Sequence, residues 1–253
     1  MRLRYLLLIL MLLIVGLGYL LSQPRWLFRI ASQLHPGAIY HVDERNSPEN
    51  KLLPPINPTV ALTIDDGPGP NTEKILALLK RHKAKATFFN VSEHLPGYES
   101  VVAQAVEAGH ELGNHLTKDE PSIRLSASEF ETDLLAAEAA LLPFIGESAE
   151  PRWLRPGMGL YNADMVATAQ KHNYRIALGN NFPYDTHIRS ARFARSFILN
   201  TVQPGDIIVL HDGQGENTDR GDRTLQTLQT VLPALKIRGY TVTTLSELAA
   251  GTE

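Results

Sequence analysis

The stretch ValAlaLeuThrIleAspAspGlyProGlyPro, residues 60–70, decides the fold, because a short apolar run here ends in two adjacent carboxylates and a turn. Val60, Leu62 and Ile64 alternate with the smaller Ala61 and Thr63, which is typical of a buried or half-buried strand. Asp65 and Asp66 follow at its carboxyl end. Neighbouring side chains on an extended chain point to opposite sides, so the two carboxylates have different roles. One can bind a metal ion while the other faces a water molecule, although turn formation alone also favours Asp, Gly and Pro.

Strand and helix patterns alternate about seven times along the chain that follows. Further strands are predicted at 87–91, 110–115, 153–156, 174–178, 206–211 and 240–245, and a short rim strand at 38–42. Helices are predicted from residue 71 and at 98–108, 126–142, 162–172, 190–201 and 223–237, followed by a short last helix. The alternation predicts a parallel α/β architecture, either a barrel or a doubly wound sheet. In both, catalytic groups lie at the carboxyl ends of strands.

The polar residues of the chain follow this rule. Titratable or cationic residues come at or just after five predicted strands: Asp65 and Asp66, Asn114 and His115, Arg155, Asp185, and His211 with Asp212. The carboxyl ends of parallel strands meet at one edge of the sheet, so these residues are expected to form one site. His110 lies five residues before His115, which places it on the opposite face of the strand, so it is interpreted as a core or structural histidine.

Composition excludes several classes of protein. The chain has 253 residues, 43% hydrophobic and 20% charged, as in an ordinary folded domain. Its net charge of −3 argues against a nucleic-acid-binding surface. It contains no cysteine, which rules out disulfides and thiolate metal sites.

The N-terminal sequence predicts that the protein is attached to a membrane. Tyr5 to Leu21 is an uncharged run of 17 residues, preceded by Arg2 and Arg4. It is close to the length of a membrane-spanning helix and lacks a small-residue cleavage pattern. We therefore expect residues 1–22 to be an uncleaved signal anchor with the rest of the chain outside the cytoplasm. A cleaved signal peptide, giving a secreted protein, is the alternative. Residues 23–57, rich in proline and polar residues, are interpreted as a tether, and 58–253 as the catalytic domain.

Four segments together carry a resemblance to a known family. They are ThrIleAspAspGlyPro (63–68), GlyHisGluLeuGlyAsnHis (109–115), LeuArgProGly (154–157) and ValLeuHisAspGly (209–213). In this order and spacing they resemble the polysaccharide deacetylase family, the NodB-homology domains of carbohydrate esterase family 4. The resemblance covers roughly residues 58–248. It implies a distorted (β/α) barrel of about seven parallel strands and metal-dependent removal of acetyl groups from sugar polymers.

The resemblance also assigns catalytic roles. Asp65 corresponds to the general base that takes a proton from water, and Arg155 to the arginine that orients this base, with two hydrogen bonds expected between them. His211 corresponds to the general acid that protonates the leaving amine, for which a histidine pKa near neutrality is suited. Asp185 is the candidate for the aspartate that positions this histidine, although a tryptophan common in that motif is missing.

The metal ligands implied by the resemblance are Asp66, His115 and Asp119. The family motif has a second histidine four residues after the first, and this chain has Asp119 there. If the segment forms a helical turn, the spacing lets Asp119 face the metal. We expect zinc, with cobalt or manganese also possible because carboxylate-rich sites accept harder ions. The alternative is that Asp119 points to solvent and the site is crippled.

The expected substrate is an N-acetylhexosamine-containing polysaccharide, either peptidoglycan or a chitin-like glycan. Leu210 and the turn near Tyr161 are expected to shape the acetyl pocket, and Tyr184 to stack on a sugar ring. Two other functions remain open at this point. An esterase could remove O-acetyl groups from a glycan, or the barrel could bind glycans after losing turnover through the change at Asp119.

Overall fold

The protein is described by a computed structural model that covers residues 2–42, 57–145, 152–213 and 218–250. Its strands are β1 (Ala38–Ile39), β2 (Thr59–Gly67), β3 (Thr87–Asn90), β4 (Glu111–Asn114), β5 (Arg152–Leu154), β6 (Tyr174–Ala177), β7 (Ile207–His211) and β8 (Thr241–Thr243). Its helices are α1 (Arg2–Leu21), α2 (Arg25–Leu34), α3 (Thr72–His82), α4 (Glu99–Glu107), α5 (Ala127–Ile145), α6 (Ala163–Lys171), α7 (Ala191–Thr201), α8 (Thr218–Ile237) and α9 (Leu245–Ala250).

The strands form one parallel sheet. Their order is β1-β6-β5-β4-β3-β2-β7, and β8 pairs with the first residues of β2. Parallel neighbours require crossover connections, which the intervening helices supply. The gap between the ends of the sheet is bridged where Asn181, after β6, pairs with Ile208 of β7. The sheet is therefore a distorted, incompletely closed barrel, which confirms the predicted parallel α/β fold. The rim strand expected at 38–42 is the short β1, so the described residues contain eight strands.

The alternation of side chains along β2 shows which face of the sheet Asp65 occupies. Leu62 and Ile64 belong to a hydrophobic cluster that includes buried residues of α3 and α8, on the outer side of the sheet. Ala61 belongs to a second cluster, with Phe89 and other residues inside the barrel. Because side chains alternate between the two faces, Asp65 shares the inner face with Ala61. The inner face ends at the carboxyl edge, where the cavity described below opens.

One predicted helix begins earlier than expected. Helix α8 begins at Thr218, five residues before the predicted start at 223. Residues 214–217 lie outside the described residues. The first turn of α8 therefore brings polar side chains to the edge of the barrel.

The apolar N-terminal run is helical as α1. In the part of the chain that the structure describes, no single helix combines the length and apolarity of a membrane span. Leu10–Leu21 and Arg25–Leu34 meet that requirement only as a pair, with a bend of 71° between them. The membrane anchor therefore stays a prediction.

The proposed tether is partly built into the domain. Residues 25–34 form α2, and residues 38–39 add β1 to the sheet edge. Pro24 immediately precedes α2 and Pro36 follows it, which are positions where proline bounds a helix. These prolines had suggested an extended tether instead. Residues 43–56, the rest of that stretch, lie outside the described residues.

Candidate active site

A cavity of about 480 Å³ opens at the carboxyl ends of the central strands. Six predicted site residues lie in its wall: Asp65, Asp66, His115, Asp119, Arg155 and His211. Residues that follow different strands therefore line a single cavity, as the sequence predicted.

Asp65 is bonded to Arg155, and both residues are only 3% exposed. Arg155 Nη1 donates to Asp65 Oδ1 at 2.6 Å and to the hydroxyl of Thr63 at 2.7 Å, while Nε donates to the carbonyl of Ala177. The structure shows one hydrogen bond between Arg155 and Asp65, where two were expected. Nη2 of Arg155 is buried and has no hydrogen-bond partner among the described residues. That nitrogen is a donor left for a water molecule or ligand in the cavity.

A β-bulge brings the second carboxylate into the same cavity. The register between β2 and β3 shifts after Asp65, because Asp65 pairs with Phe89 whereas Gly67 pairs with Asn90. Asp66 is the extra residue, and its φ of 65° lies in the left-handed region, which Asp tolerates better than most residues. On a regular strand adjacent side chains would face opposite sides. The bulge explains how Asp65 and Asp66 line one cavity with different partners.

Asp66 faces His115. His115 Nε2 lies 3.3 Å from Asp66 Oδ1, and its Nδ1 donates to the carbonyl of Arg155 at 2.6 Å. A backbone carbonyl that fixes one ring nitrogen orients the other, as is usual for histidines that bind metals. Burial alone would raise the pKa of Asp66. The hydrogen bond with His115 and the charges of His211, His115 and Arg220 outweigh burial and hold this pKa well below its usual range.

Asp119 reaches the cavity by an unexpected route. Residues 117–120 form bends rather than a helical turn, and Leu116 has a φ of 66°. The helical turn expected between His115 and Asp119 is therefore not formed. Asp119 is exposed and lies in the cavity wall. Partial burial and the charge of Asp66 raise the pKa of Asp119.

The predicted ligands fit a metal ion in chemistry but do not form a complete cluster. Within residues 2–42, 57–145, 152–213 and 218–250, no group of three or more His, Asp or Glu side chains is placed to hold a metal ion. Asp66 and His115 are in contact, and Asp119 lines the same cavity. A carboxylate and an oriented imidazole are suitable donors for a divalent cation. The donor set therefore fits such an ion, with two of three donors already together.

Arg220 is a site residue that the sequence analysis missed. It lies in the first turn of α8, and its Nη1 is 2.5 Å from Asp66 Oδ2. Its side chain is only 13% exposed and lines the cavity. A cation of the protein therefore occupies one oxygen of a predicted metal ligand. No apolar periodicity marks residues 218–222, so the sequence offered no sign that Arg220 is carried inward by a helix.

His211, at the end of β7, is held by Asp185. Its Nδ1 lies 3.0 Å from Asp185 Oδ1, and its backbone N–H donates to Asp185 Oδ2 at 3.1 Å. The ring of Phe182 contacts the imidazole edge-on, with ring centroids 5.6 Å apart. Burial would lower the pKa of His211, but the charge and hydrogen bond of Asp185, with the charges of Asp66 and Asp65, raise it to about 9. His211 is therefore protonated at neutral pH.

The three predicted substrate residues do not line the cavity. Leu210 is fully buried in the outer hydrophobic cluster, and the preceding Val209 lines the cavity instead, because adjacent strand residues face opposite sides. Tyr161 donates its hydroxyl to the carbonyl of His35. Tyr184 donates its hydroxyl to the carbonyl of Leu21 at 2.9 Å. Both tyrosines tie the N-terminal segment to the domain and lie outside the cavity wall, whereas Met158 and Gly159, in the turn before Tyr161, line it. The roles of the two tyrosines in shaping the acetyl pocket and stacking on sugar stay predictions.

Other residues supply the cavity wall. Its apolar and aromatic lining includes Phe28, Met158, Leu178, Phe182 and Val209. Gln23 and His187 add polar groups. The contribution of Gln23 and Phe28 was not foreseen, because both belong to the stretch interpreted as a tether.

Comparisons with known proteins agree with this architecture. Residues 54–177 match the family model for polysaccharide deacetylases. A peptidoglycan-N-acetylglucosamine deacetylase of Bacillus cereus is 31% identical over 192 residues, 75% of this chain and 87% of that protein. A chitooligosaccharide deacetylase of Bradyrhizobium sp. is 29% identical over 198 residues, 75% of this chain and 90% of that protein.

A solved structure shows the same fold. The Xyl-CE4 domain of a multidomain xylanase, from the hindgut metagenome of Trinervitermes trinervoides, superposes with a TM-score of 0.67 and 29% identity. The match covers 76% of this chain and 89% of that chain. Together with the strand-end segments in one cavity and the extent of the match to the Bacillus cereus relative, these likenesses lead to one conclusion: this chain belongs to the polysaccharide deacetylase family.

Proposed function

We propose that the protein is a metal-dependent hydrolase that removes N-acetyl groups from an N-acetylhexosamine-containing polysaccharide, either peptidoglycan or a chitin-like glycan. One observation carries the proposal: Asp65 and Asp66 line one cavity but have different partners, Arg155 and His115. Amide hydrolysis with a cation needs both a general base and a cation site, and this division provides for both. The relatives named as deacetylases of peptidoglycan N-acetylglucosamine and of chitooligosaccharides support the substrate class.

Asp65 is the base in this proposal. Arg155 donates to its Oδ1, so Oδ2 is available to accept a proton from the attacking water. The same guanidinium bonds to Thr63 and to the carbonyl of Ala177, which fixes the orientation of the carboxylate. A positioned base of this kind contributes about 10²–10⁴-fold to a hydrolytic rate.

His211 is the acid. Asp185 holds its Nδ1, so that Nε2 carries the proton available to the leaving nitrogen. Because its pKa is raised to about 9, the imidazolium form is present at neutral pH. Proton transfer to the amine allows the bond between the acetyl carbon and nitrogen to break, giving acetate and a free amino sugar.

Asp66, His115 and Asp119 would hold the metal ion, which we propose to be zinc, with cobalt or manganese as alternatives. When bound, a divalent cation supplies a Lewis acid that polarises the acetyl carbonyl and makes water a better nucleophile. The low pKa of Asp66 keeps this carboxylate ionised for that purpose. His115 would contribute the unprotonated Nε2 of a neutral imidazole, whose orientation is set by the hydrogen bond from Nδ1 to the Arg155 carbonyl.

The test measures acetate released from an N-acetylglucosamine oligomer by the purified full chain. The protein is stripped with a chelator and then given zinc, cobalt or manganese in turn. Activity restored by an ion, and lost in both Asp65→Asn and His211→Ala, supports the proposal. Faster release from an O-acetylated glycan would identify an esterase. A folded protein that binds the oligomer but releases no acetate with any ion would identify a binding module instead.

We also propose that α1 anchors the protein in a membrane, with the catalytic domain outside the cytoplasm. The uncharged run from Tyr5 to Leu21 and the preceding Arg2 and Arg4 support this orientation. Cell fractionation combined with protease treatment of intact cells tests it. Membrane retention with an accessible domain is expected. Release of a shortened chain would indicate cleavage, and a domain that is protected from protease would reject the orientation.

A further inference from the structure

The N-terminal segment 21–34 reaches the wall of the active-site cavity. Gln23 and Phe28 line the cavity together with Asp65 and His211. Both residues lie before the part of the chain that the family model matches, which begins at residue 54. The wall of the cavity is thus built from the family domain and from residues that precede it.

Gln23 is bonded to the loop that carries the histidine-positioning aspartate. Its Nε2 donates to the carbonyl of Phe182 at 2.5 Å, and the N–H of Phe182 donates to its Oε1 at 2.8 Å. Both backbone groups of Phe182 are therefore paired with one side chain. Tyr184, two residues later, donates its hydroxyl to the carbonyl of Leu21. These contacts fix residues 182–184 from the N-terminal side.

A buried ion pair holds the start of α2 in place. Arg25 Nη2 and Nε lie 2.7 and 3.0 Å from Asp206 Oδ1. Asp206 is 2% exposed and also accepts from Asn180 Nδ2 and from the N–H of Gln203. Loss of one partner would leave a buried charge uncompensated, which is costly. The segment is thus attached at the base of β7, the strand that ends in His211.

The fixed loop bears directly on His211. The ring of Phe182 touches the imidazole, and Asp185 bonds to both its ring and its backbone. A change at Gln23 therefore acts on His211 through Phe182. Phe28 is different, because it lines the cavity itself. Its ring packs against that of Tyr40, with ring centroids 5.6 Å apart.

We propose that residues 21–34 are part of the active site, with Gln23 as a positioning residue for His211 and Phe28 as a specificity-determining contact for a sugar ring. This inference rests on the proposed deacetylase function. An apolar, aromatic wall beside polar catalytic groups is the usual composition of a ligand pocket. Turnover and glycan affinity thereby depend on residues that lie between the predicted membrane anchor and the barrel.

The experiment uses the full chain and two matched pairs of variants. Gln23→Ala is compared with Gln33→Ala, which removes an exposed glutamine of α2 in the same N-terminal segment. Phe28→Ala is compared with Trp26→Ala, a large aromatic residue of α2 that is 44% exposed and absent from the cavity wall. kcat and KM are measured on an N-acetylglucosamine pentamer, and Phe28→Tyr is included as a rescue.

Gln23→Ala is expected to lower kcat about tenfold with little change in KM, because it disturbs a group that acts in the transition state. The NMR signals of the His211 ring are expected to shift in Gln23→Ala and not in Gln33→Ala. Phe28→Ala is expected to raise KM about tenfold at nearly unchanged kcat, as loss of uniform binding does, and Phe28→Tyr to restore it. Variants that match their controls in these readouts, even with a lowered melting temperature, would overturn the inference.

Failure of the proposed function gives a different result. If the unmodified protein releases no acetate with any ion, the deacetylase proposal fails. The inference is then decided by calorimetric binding of the same pentamer and by the His211 signals. Weaker pentamer binding by Phe28→Ala than by Trp26→Ala would support the contact between Phe28 and a sugar ring, whereas equal binding would reject it.

Discussion

The active-site cavity has two halves that are held in different ways. The sheet half lies directly at strand ends and consists of Asp65, His115 and Arg155. The loop half lies beyond the strand ends, in loops and in the first turn of α8, and consists of Asp119, Asp185 and Arg220. In the sheet half, side chains bond to the backbone of neighbouring strands: His115 to the carbonyl of Arg155, and Arg155 to the carbonyl of Ala177.

The loop half depends on fewer contacts. Arg220 is paired with Asp66 through the ends of the two side chains. Asp185 is paired with the ring of His211 and also accepts from the backbone N–H of His211. Strand ladders fix the backbone of the sheet half together with the core. Substitutions in the loop half should therefore change the charge and orientation of groups at the site with little loss of folding stability. Substitutions in the sheet half should affect both catalysis and folding stability.

The largest effect on activity is expected from the sheet half. Asp65→Asn keeps an oxygen for the hydrogen bond from Arg155 but removes the base. kcat should therefore fall about 10²–10⁴-fold. Steady-state acetate release measures it, and the melting temperature shows whether the variant remains folded. A folded variant that keeps more than about a tenth of the activity would assign the base to another residue.

The next effect is expected in the loop half. In Asp185→Asn the charge that raises the pKa of His211 is removed, so this pKa should fall from about 9 toward the ordinary value of 6.5. Since the protonated imidazole is the acid, activity at high pH is lost first, and kcat/KM at neutral pH should drop about 10–100-fold.

An NMR titration of the metal-free protein measures the pKa of His211 directly, and the pH profile of kcat/KM measures its consequence. Asp219→Asn is the matched control, because Asp219 is a nearby carboxylate whose side chain is 43% exposed and paired with Arg189 and Arg223. An unchanged pKa in Asp185→Asn would show that other charges set it.

The two halves also differ in how far the sequence predicts them. The sheet half follows from strand patterns, since a polar residue after an apolar run must lie at the carboxyl edge of a parallel sheet. Alternation gives the inner face for Asp65. It also places Leu210 in the outer core, whereas the family resemblance had suggested the acetyl pocket for this residue. The bulge at Asp66 left no mark in the pattern, because it depends on pairing with β3.

The loop half and the N-terminal wall were harder to predict for physical reasons. Arg220 lies in a polar stretch without apolar periodicity, and only the packing of α8 brings it to Asp66. Asp119 reaches the cavity through bends rather than through the expected helical turn. Gln23 acts through contacts with Phe182, 159 residues away in sequence. Contacts at such separation carry no local signal.

A smaller effect, on zinc affinity, is expected from the competition between Arg220 and a metal ion for Asp66. Arg220 occupies one oxygen of this predicted ligand and adds positive charge beside it. Arg220→Gln should therefore raise the affinity of the chelator-stripped protein for zinc about tenfold, by removing a repulsion between like charges. Calorimetric titration measures the affinity, and Arg189→Gln, which removes an exposed arginine, is the control. Weaker zinc binding by Arg220→Gln would show that Arg220 orders Asp66 for the ion instead of competing with it.

The smallest effect on activity is expected at the other end of β4, where His110 flanks the strand that His115 follows. His110 is 6% exposed, accepts the N–H of Ala86 at its Nδ1 and lies edge-on to Phe88. Burial, and then the charge of Lys85, lower its pKa to about 4. His110→Gln should leave kcat/KM within about twofold, because this end of a parallel sheet carries no catalytic groups.

The effect of His110 should appear in the pH dependence of the free energy of unfolding. Its folded pKa of about 4 lies below the ordinary 6.5, so the unfolded chain binds more protons between these values. The free energy of unfolding therefore falls as the pH drops from 6.5 toward 4, and His110 accounts for about 2 kcal/mol of that fall. Urea unfolding at pH 7 and pH 4.5 should show a smaller loss in His110→Gln than in the unmodified protein. Equal losses would mean that His110 titrates alike in both states, and a large loss of activity would place function at both ends of β4. Only the second outcome would challenge the assignment of the catalytic groups to the carboxyl edge of the sheet.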